Sequence, residues 1–131
     1  MPLEFLADRD VGKRVVAALR GAGEIVHTLA DVYGEEQSQQ TEDPIWIAKA
    51  GAQRWAALTK NKKIRYVTRE RDAVAEHAVW LFALANGNLG FAEMADALLA
   101  AMPRVHEICA EHPGGAIWIA HRNGRVDQQW P

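Results

Sequence analysis

The sequence predicts an α/β fold, a three-layer α/β/α sandwich around a mostly parallel central sheet. Two observations carry this prediction. Short apolar runs alternate along the chain with stretches of helical periodicity. One of these runs, Ala78 to Ala85 (AVWLFALA), is apolar on both faces, as a central strand covered by helices on either side must be. A third observation sets the scale: at 131 residues and 49% apolar composition, the chain makes one domain, 1–131, with a core of its own.

Leu3 to Ala7 is a short apolar run suited to a buried strand. From Val11 to Ala22, the residues Val11, Val15, Ala18, Leu19 and Ala22 recur at helical spacing, with Lys13, Arg14 and Arg20 elsewhere around the helix. The RGAG stretch at 20–23 stops that helix, and Glu24 to Leu29 (EIVHTL) is a second strand. Residues 34–43 (GEEQSQQTED) are polar throughout and predict a loop. Asp43-Pro44 then reads as an N-cap followed by proline at the first helical position, opening a helix to about Gly51.

Arg54 to Leu58 (RWAAL) is a third strand, TKNKKIR a basic turn, and RERDAVAE a helix around 69–76. After the strand at 78–85, the stretch FAEMADALLAAMPRVHEICAEH places Phe91, Met94, Leu98, Met102, Val105 and Cys109 on one stripe of a long helix. Pro103 is expected to kink or divide it. Ala116 to Ala120 (AIWIA) is a last strand, and Asn123-Gly124 offers a tight turn. Trp130 lies in a polar tail, as a partner anchor or as a residue closing over the core.

The net charge of −2 excludes a wholesale polycation, so any nucleic-acid contact comes from local basic clusters. The single Cys109 excludes an intrachain disulfide and a four-cysteine zinc site, and suits a reducing cytoplasm. The apolar run from Ala78 to Ala85 falls far short of the roughly 20 residues a membrane helix needs. The expectation is a cytoplasmic domain that makes no membrane contact, with apolar helices able to supply homodimer contacts.

Ligands of open parallel sheets bind beyond the carboxyl ends of the strands. The first strand delivers Asp8 and Asp10 there, the second Asp31 a little later, and the third Thr59, Lys60, Asn61 and Lys62. Asp43 opens a helix just before the third strand, near the same edge. Two carboxylates ~4 Å apart repel by about 4 kcal/mol at an effective dielectric of 20, so one takes up a proton or a cation neutralises the group. Oxygen-only ligands suit Mg²⁺ or Mn²⁺, which also bind phosphate oxygens. Lys60, Lys62, Lys63 and Arg65 would hold a polyanionic backbone beside such an ion. The combination reads as metal-dependent hydrolysis of nucleic acid.

Plainer accounts exist for each feature. Strands end at solvent, where aspartate is common; Asp43 is accounted for as a helix cap; and TKNKKIR serves as a solvated turn. Asp8-Arg9-Asp10 loosely resembles the nucleophile motif of haloacid-dehalogenase-type phosphatases, but AVWLFALANGN lacks their later acidic pair. A receiver domain needs an acid at the end of the third strand, where Asn61 stands. His106, Cys109 and His112 spread over about 120° of a helix and lack a fourth zinc ligand.

Three segments in order, FLADRDVGKRVVAALRGAG at 5–23, DPIWIAKAGAQRW at 43–55 and ALTKNKKIRY at 57–66, resemble the PIN-like nuclease family, in particular the compact branch that includes VapC-type toxins. The resemblance implies an α/β/α sandwich, an acidic Mg²⁺ or Mn²⁺ cluster, endoribonuclease activity on an RNA substrate, and a cognate antitoxin that holds the toxin in check. By position, Asp8 matches the first acid after the opening strand and Asp43 the acid opening the helix before the third strand. Asp10 falls where related sequences often have a polar residue, and Asp31 is an additional acid on the rim.

The family pattern after the third strand is threonine, a basic residue, then aspartate; here Thr59 and Lys60 are followed by Asn61. The expected catalytic set is thus Asp8, Asp43 and Asn61, with Asn61 orienting water. The expected metal ligands are Asp8 and Asp43, assisted by Asp10 or Asp31. Lys60, Lys62 and Arg65, with Lys13 and Arg14, would position phosphates. The alternative is a catalytically weak PIN-like module that binds RNA or a protein partner.

Overall fold

The computed structural model describes residues 2–131. Strand β1 (Glu4–Ala7) leads through a 3-10 turn at Arg9–Val11 into α1 (Lys13–Gly21), β2 (Ile25–Thr28), α2 (Leu29–Tyr33) and α3 (Glu35–Ser38). Then follow α4 (Asp43–Gln53), β3 (Ala56–Thr59), a second 3-10 turn at Lys62–Tyr66, α5 (Thr68–Glu76) and β4 (Trp80–Leu84). The chain ends with α6 (Phe91–Glu111), β5 (Ala116–Ala120) and β6 (Val126–Trp130).

The six strands form one sheet in the order β2-β1-β3-β4-β5-β6. The first five are parallel and β6 runs antiparallel to β5. Successive side chains of a strand point to opposite faces, and the core accordingly divides in two. Phe5, Ala7, Leu58, Phe82 and Trp118 face α1 and α6, where Val15, Leu19, Leu98 and Met102 cover them. Leu6, Ala57, Leu81, Ala83 and Ile119 face α4 and α5, represented by Trp46, Ile47 and Val74. Every residue of β4 is buried, as its two-sided apolar run requires. The predicted three-layer sandwich is the observed architecture.

Four local readings need correction. The polar stretch 34–43 is not loop throughout: α3 occupies Glu35–Ser38, directly after α2, which a capping box of Thr28 and Asp31 starts. Asp43 is the first residue of α4 rather than its cap; Glu42 occupies the cap position, and its side chain makes no capping hydrogen bond. Pro103 lies inside α6 without dividing it, the helix running on for 21 residues. The polar tail is a strand: β6 pairs with β5, with a register irregularity between Ile117 and Trp118. Trp130 packs against the second core cluster, under the Arg71 guanidinium 5.6 Å from its ring centroid.

Helix α4 comes close enough to the C-terminal end of α5 to require glycine at residue 51. A Cβ there would lie 2.5 Å from the His77 carbonyl oxygen and 2.6 Å from its Cβ. No helix among the described residues is long and apolar enough to cross a membrane.

Candidate functional site

The pairing of β1 with β3 determines which side chains meet at the carboxyl edge. Ala7 pairs with Leu58, and the Asp8 N–H donates to the Leu58 carbonyl at 2.8 Å. Asp8 therefore leaves the ladder beside Thr59, and both are buried. The 3-10 turn at Arg9–Val11, closed by Val11 N–H on the Asp8 carbonyl at 3.0 Å, turns Asp10 back toward the same point.

Thr59 Oγ1 is the centre of this arrangement. It lies 3.0 Å from Asp8 Oδ2, and 3.1 and 3.3 Å from the two carboxylate oxygens of Asp10. It also accepts the Asn61 N–H at 3.1 Å. A hydroxyl carries one hydrogen, so it donates to only one carboxylate at a time. Asp10 has a second donor, the Lys60 N–H at 3.1 Å.

The electrostatics follow from that geometry. Burial, reinforced by the charges of Asp10 and Asp43, pushes the Asp8 carboxyl up to about 7 against donation from Thr59 and the Arg9 N–H. Burial also raises Asp10, held back by the Lys60 N–H, the Thr59 hydroxyl and the Lys60 ammonium. Asp43, whose Oδ1 accepts the Trp46 indole N–H at 2.9 Å, adds its charge against both. The Asp43 carboxylate is thus held by a side chain rather than by the helix N–H groups that a capping role predicts.

A fourth acid, which the sequence reading did not single out, joins them. The Glu70 carboxyl in α5 lies within hydrogen-bonding reach of Asp43, and burial and that neighbour raise its pKa. Its Oε2 is buried without a hydrogen-bond partner. Glu42 and Arg69, one residue back in each helix, pair at 2.7 Å and bring the starts of α4 and α5 together. This juxtaposition became legible only once the two helices were known to pack side by side.

Asp31 sits differently. It accepts the Thr28 N–H at 2.9 Å and pairs with Arg20 at 3.0 Å, which holds its carboxyl below the usual range. It lines a cleft of about 740 Å³ that also borders Asp8, Arg9, Lys13 and Arg20. Asn61 Oδ1 accepts the Lys63 N–H at 3.1 Å and so caps the 3-10 turn at Lys62–Tyr66. Of the basic candidates, Lys60 stands beside Asp10, Lys62 is exposed and Lys13 borders the cleft. Arg14 stacks on Phe91 at 4.5 Å, and Arg65 is engaged with the Lys62 carbonyl and Tyr66.

The remaining candidate ligands lie elsewhere and have partners of their own. His106 pairs with Glu24 at 2.7 Å, and His112 accepts the Gly114 N–H at 3.0 Å. Burial pushes the Cys109 thiol up to about 12, leaving it a core thiol.

Among the described residues no three His, Cys, Asp or Glu side chains form a closed set of metal ligands. The carboxylates are linked pairwise instead, Asp8 with Asp10 through Thr59 and Asp43 with Glu70. That donor set fits a hard divalent cation. Mg²⁺ takes one or two carboxylates and completes its shell with water and substrate phosphate. The orphaned Glu70 oxygen and the two carboxylates competing for one hydroxyl hydrogen are the groups such a charge would satisfy.

The chain was compared with known proteins. The family described as PIN like domain matches residues 3–86, which include Asp8, Asp10, Asp43, Thr59 and Glu70. A relative from Mycobacterium tuberculosis (strain ATCC 25618 / H37Rv), named Putative ribonuclease VapC45, is 30% identical over 118 residues, covering 89% of this chain and 85% of the relative. No solved structure matches significantly. The matched segment and the kinship along most of the chain place this protein in the PIN-like domain family.

Proposed function

We propose that the protein is a Mg²⁺- or Mn²⁺-dependent endoribonuclease, the toxin of a type II toxin–antitoxin pair, acting on RNA in the cytoplasm and restrained by a cognate antitoxin. The observation that carries this reading is the meeting of Asp8 and Asp10 on the Thr59 hydroxyl, with Asp43 charged against both, in a chain of a family with a ribonuclease-named relative.

Asp8, Asp10 and Asp43 would hold the ion. When bound, a divalent cation there supplies charge for the scissile phosphodiester and lowers the pKa of water. The protein's own part is positional. The Lys60 N–H and Thr59 hydroxyl fix Asp10, the indole of Trp46 fixes Asp43, and both carboxylates are half-buried beside the buried Asp8. Lys60 and Lys62 draw the RNA backbone to the edge, with Lys13 serving the cleft beside Asp8. Asn61, its carbonyl engaged by Lys63, contributes through its amide N–H groups, which can donate to water or phosphate.

The test is cleavage of RNA by the purified chain with Mg²⁺ or Mn²⁺, with EDTA, and with Asp8→Asn. Cleavage that needs the ion and is lost in the variant supports the assignment; cleavage surviving both EDTA and Asp8→Asn refutes it. RNA binding without cleavage in either ion turns the reading to a binding module with an inactive site.

A further inference from the structure

We infer that Tyr66 is a stacking platform for one unpaired base of the RNA, so that the site takes single-stranded rather than duplex RNA. The inference rests on the reading of the protein as acting on RNA and names the form of that substrate. Tyr66 is 64% exposed, and Phe91 is the only other exposed aromatic residue among the described residues. A lone exposed ring is ordinary, but this one is held in place. The Arg65 guanidinium lies over it, 4.4 Å from the ring centroid, and donates to the Tyr66 hydroxyl at 2.7 Å and to the Lys62 carbonyl at 2.8 Å. Ile64 is buried beneath the turn, Asn61 Oδ1 caps it through the Lys63 N–H, and Arg71 Nε donates to the Arg65 carbonyl from α5. A ring fixed before anything binds is spared the ordering cost that a mobile side chain incurs. With one face under the guanidinium and most of its surface in solvent, the opposite face of the ring is open.

Charge decides what fits that face. Residues 60–65 (KNKKIR) hold four cations and no acid. Lys62, Lys63 and Arg65 make no ion pair among the described residues. Such a run attracts a phosphate backbone, whereas the cores of protein interfaces are depleted in lysine. Every base has a π-face that an aromatic ring can stack on, and an arginine on the ring adds to the attraction. In a duplex those faces are covered by neighbouring base pairs, so an unpaired nucleotide is the one that offers them. The position suits this role. The Asn61 N–H rests on Thr59 Oγ1, between the two aspartates, and the 3-10 turn that follows rises roughly 2 Å per residue, which puts the Tyr66 backbone about 10 Å from Asn61. A strand with one phosphate at the acids thus has a nearby base within reach of the ring.

The experiment is fluorescence anisotropy of a labelled RNA oligonucleotide, unpaired and as a duplex with its complement, titrated with the full chain in EDTA over a range of salt. The variants are Tyr66→Ala, Tyr66→Leu, Tyr66→Phe and, as a control for lost apolar surface, Ile25→Ala at the exposed amino end of β2. Wild type should prefer the unpaired RNA. Tyr66→Ala should weaken that binding at least about fivefold, the low end of what one base–aromatic stack is worth, and Tyr66→Leu should weaken it too, while Tyr66→Phe and Ile25→Ala stay within about twofold. The slope of log affinity against log salt should not change, because no phosphate contact is lost. Unpaired RNA bound equally well without the ring overturns the inference. So does an equal loss for unpaired and duplex RNA, since the ring would then only hold the basic turn. Unchanged RNA affinity with an altered sedimentation coefficient assigns the ring to a contact between copies of the chain and overturns the inference as well. Cleavage in Mn²⁺, measured beside binding, separates the two readings. Ring-dependent binding without cleavage keeps the inference and refutes the nuclease assignment, whereas cleavage with ring-independent binding does the reverse. Wild type that binds neither RNA overturns the inference outright.

Discussion

In the absence of metal, Asp8→Asn should make the protein more stable, by an amount that depends on pH. The Asp8 carboxyl titrates at about 7 in the fold against 3.8 in the open chain. Its folded pKa is raised, so the stability it contributes is full below 3.8 and is lost as the pH climbs through 7. The loss amounts to about 4 kcal/mol by pH 8 and about 2 kcal/mol at pH 5. Asparagine carries no charge, and its Oδ1 still accepts the Thr59 hydroxyl. The substitution should therefore recover those amounts. Urea unfolding in EDTA measures it: with a slope near 1.5 kcal/mol per molar, the midpoint should rise by about 2 to 3 M at pH 8 and roughly half as much at pH 5. A variant no more stable than wild type at pH 8, or a gain independent of pH, would refute the account of Asp8 as a buried charge among like charges. On the proposed metal-dependent reading, Mn²⁺ should stabilise the wild type and this variant should lose that stabilisation, since a bound ion stabilises only the state that binds it.

Thr59→Val keeps the shape but removes the one hydroxyl between Asp8 and Asp10 and the acceptor of the Asn61 N–H; it should cost about 1–3 kcal/mol at pH 8 in urea unfolding. At pH 5 the cost should shrink, because a protonated Asp8 can itself donate to Asp10. Gly51→Ala drives a methyl to 2.5 Å from the His77 carbonyl and should destabilise by about 1–3 kcal/mol, read as a lower urea midpoint, with RNA cleavage by the folded fraction unchanged. Lys62→Ala should weaken RNA binding similarly for all sequences and reduce the slope of log affinity against log salt by about 0.7, the signature of one lost phosphate contact.

Much of the fold was legible because burial leaves a plain trace in sequence. A run such as AVWLFALA has few homes other than the centre of a covered sheet, and the apolar spacing from Val11 to Leu19 marks the face of α1 that meets the core. What escaped was decided by weaker or longer-range terms. VDQQW has a polar strand's composition and became β6 only because β5 offered it an open edge. Pro103 forfeits one backbone N–H, but α6 stays whole because Met102 and Val105 on either side are buried against the sheet. At the site, Asp8, Asp10 and Asp43 stood out because they follow a strand or open a helix. Glu70 looked like any acid in a first turn, and only the packing of α5 on α4 sets it beside Asp43.

The hydroxyl that joins Asp8 to Asp10 has a consequence for how the site comes into being. Strand β1 and its two aspartates leave the ribosome early, and β2 can zip onto β1 through a local crossover. Thr59 stands 51 residues after Asp8, and Glu70 further still. A nascent or truncated chain that stops short of β3 thus carries both aspartates without the group that brings them to a common point. The acids become a site at the moment the third strand docks in register. Whatever chemistry the assembled acids perform is therefore withheld from a half-made chain by topology alone.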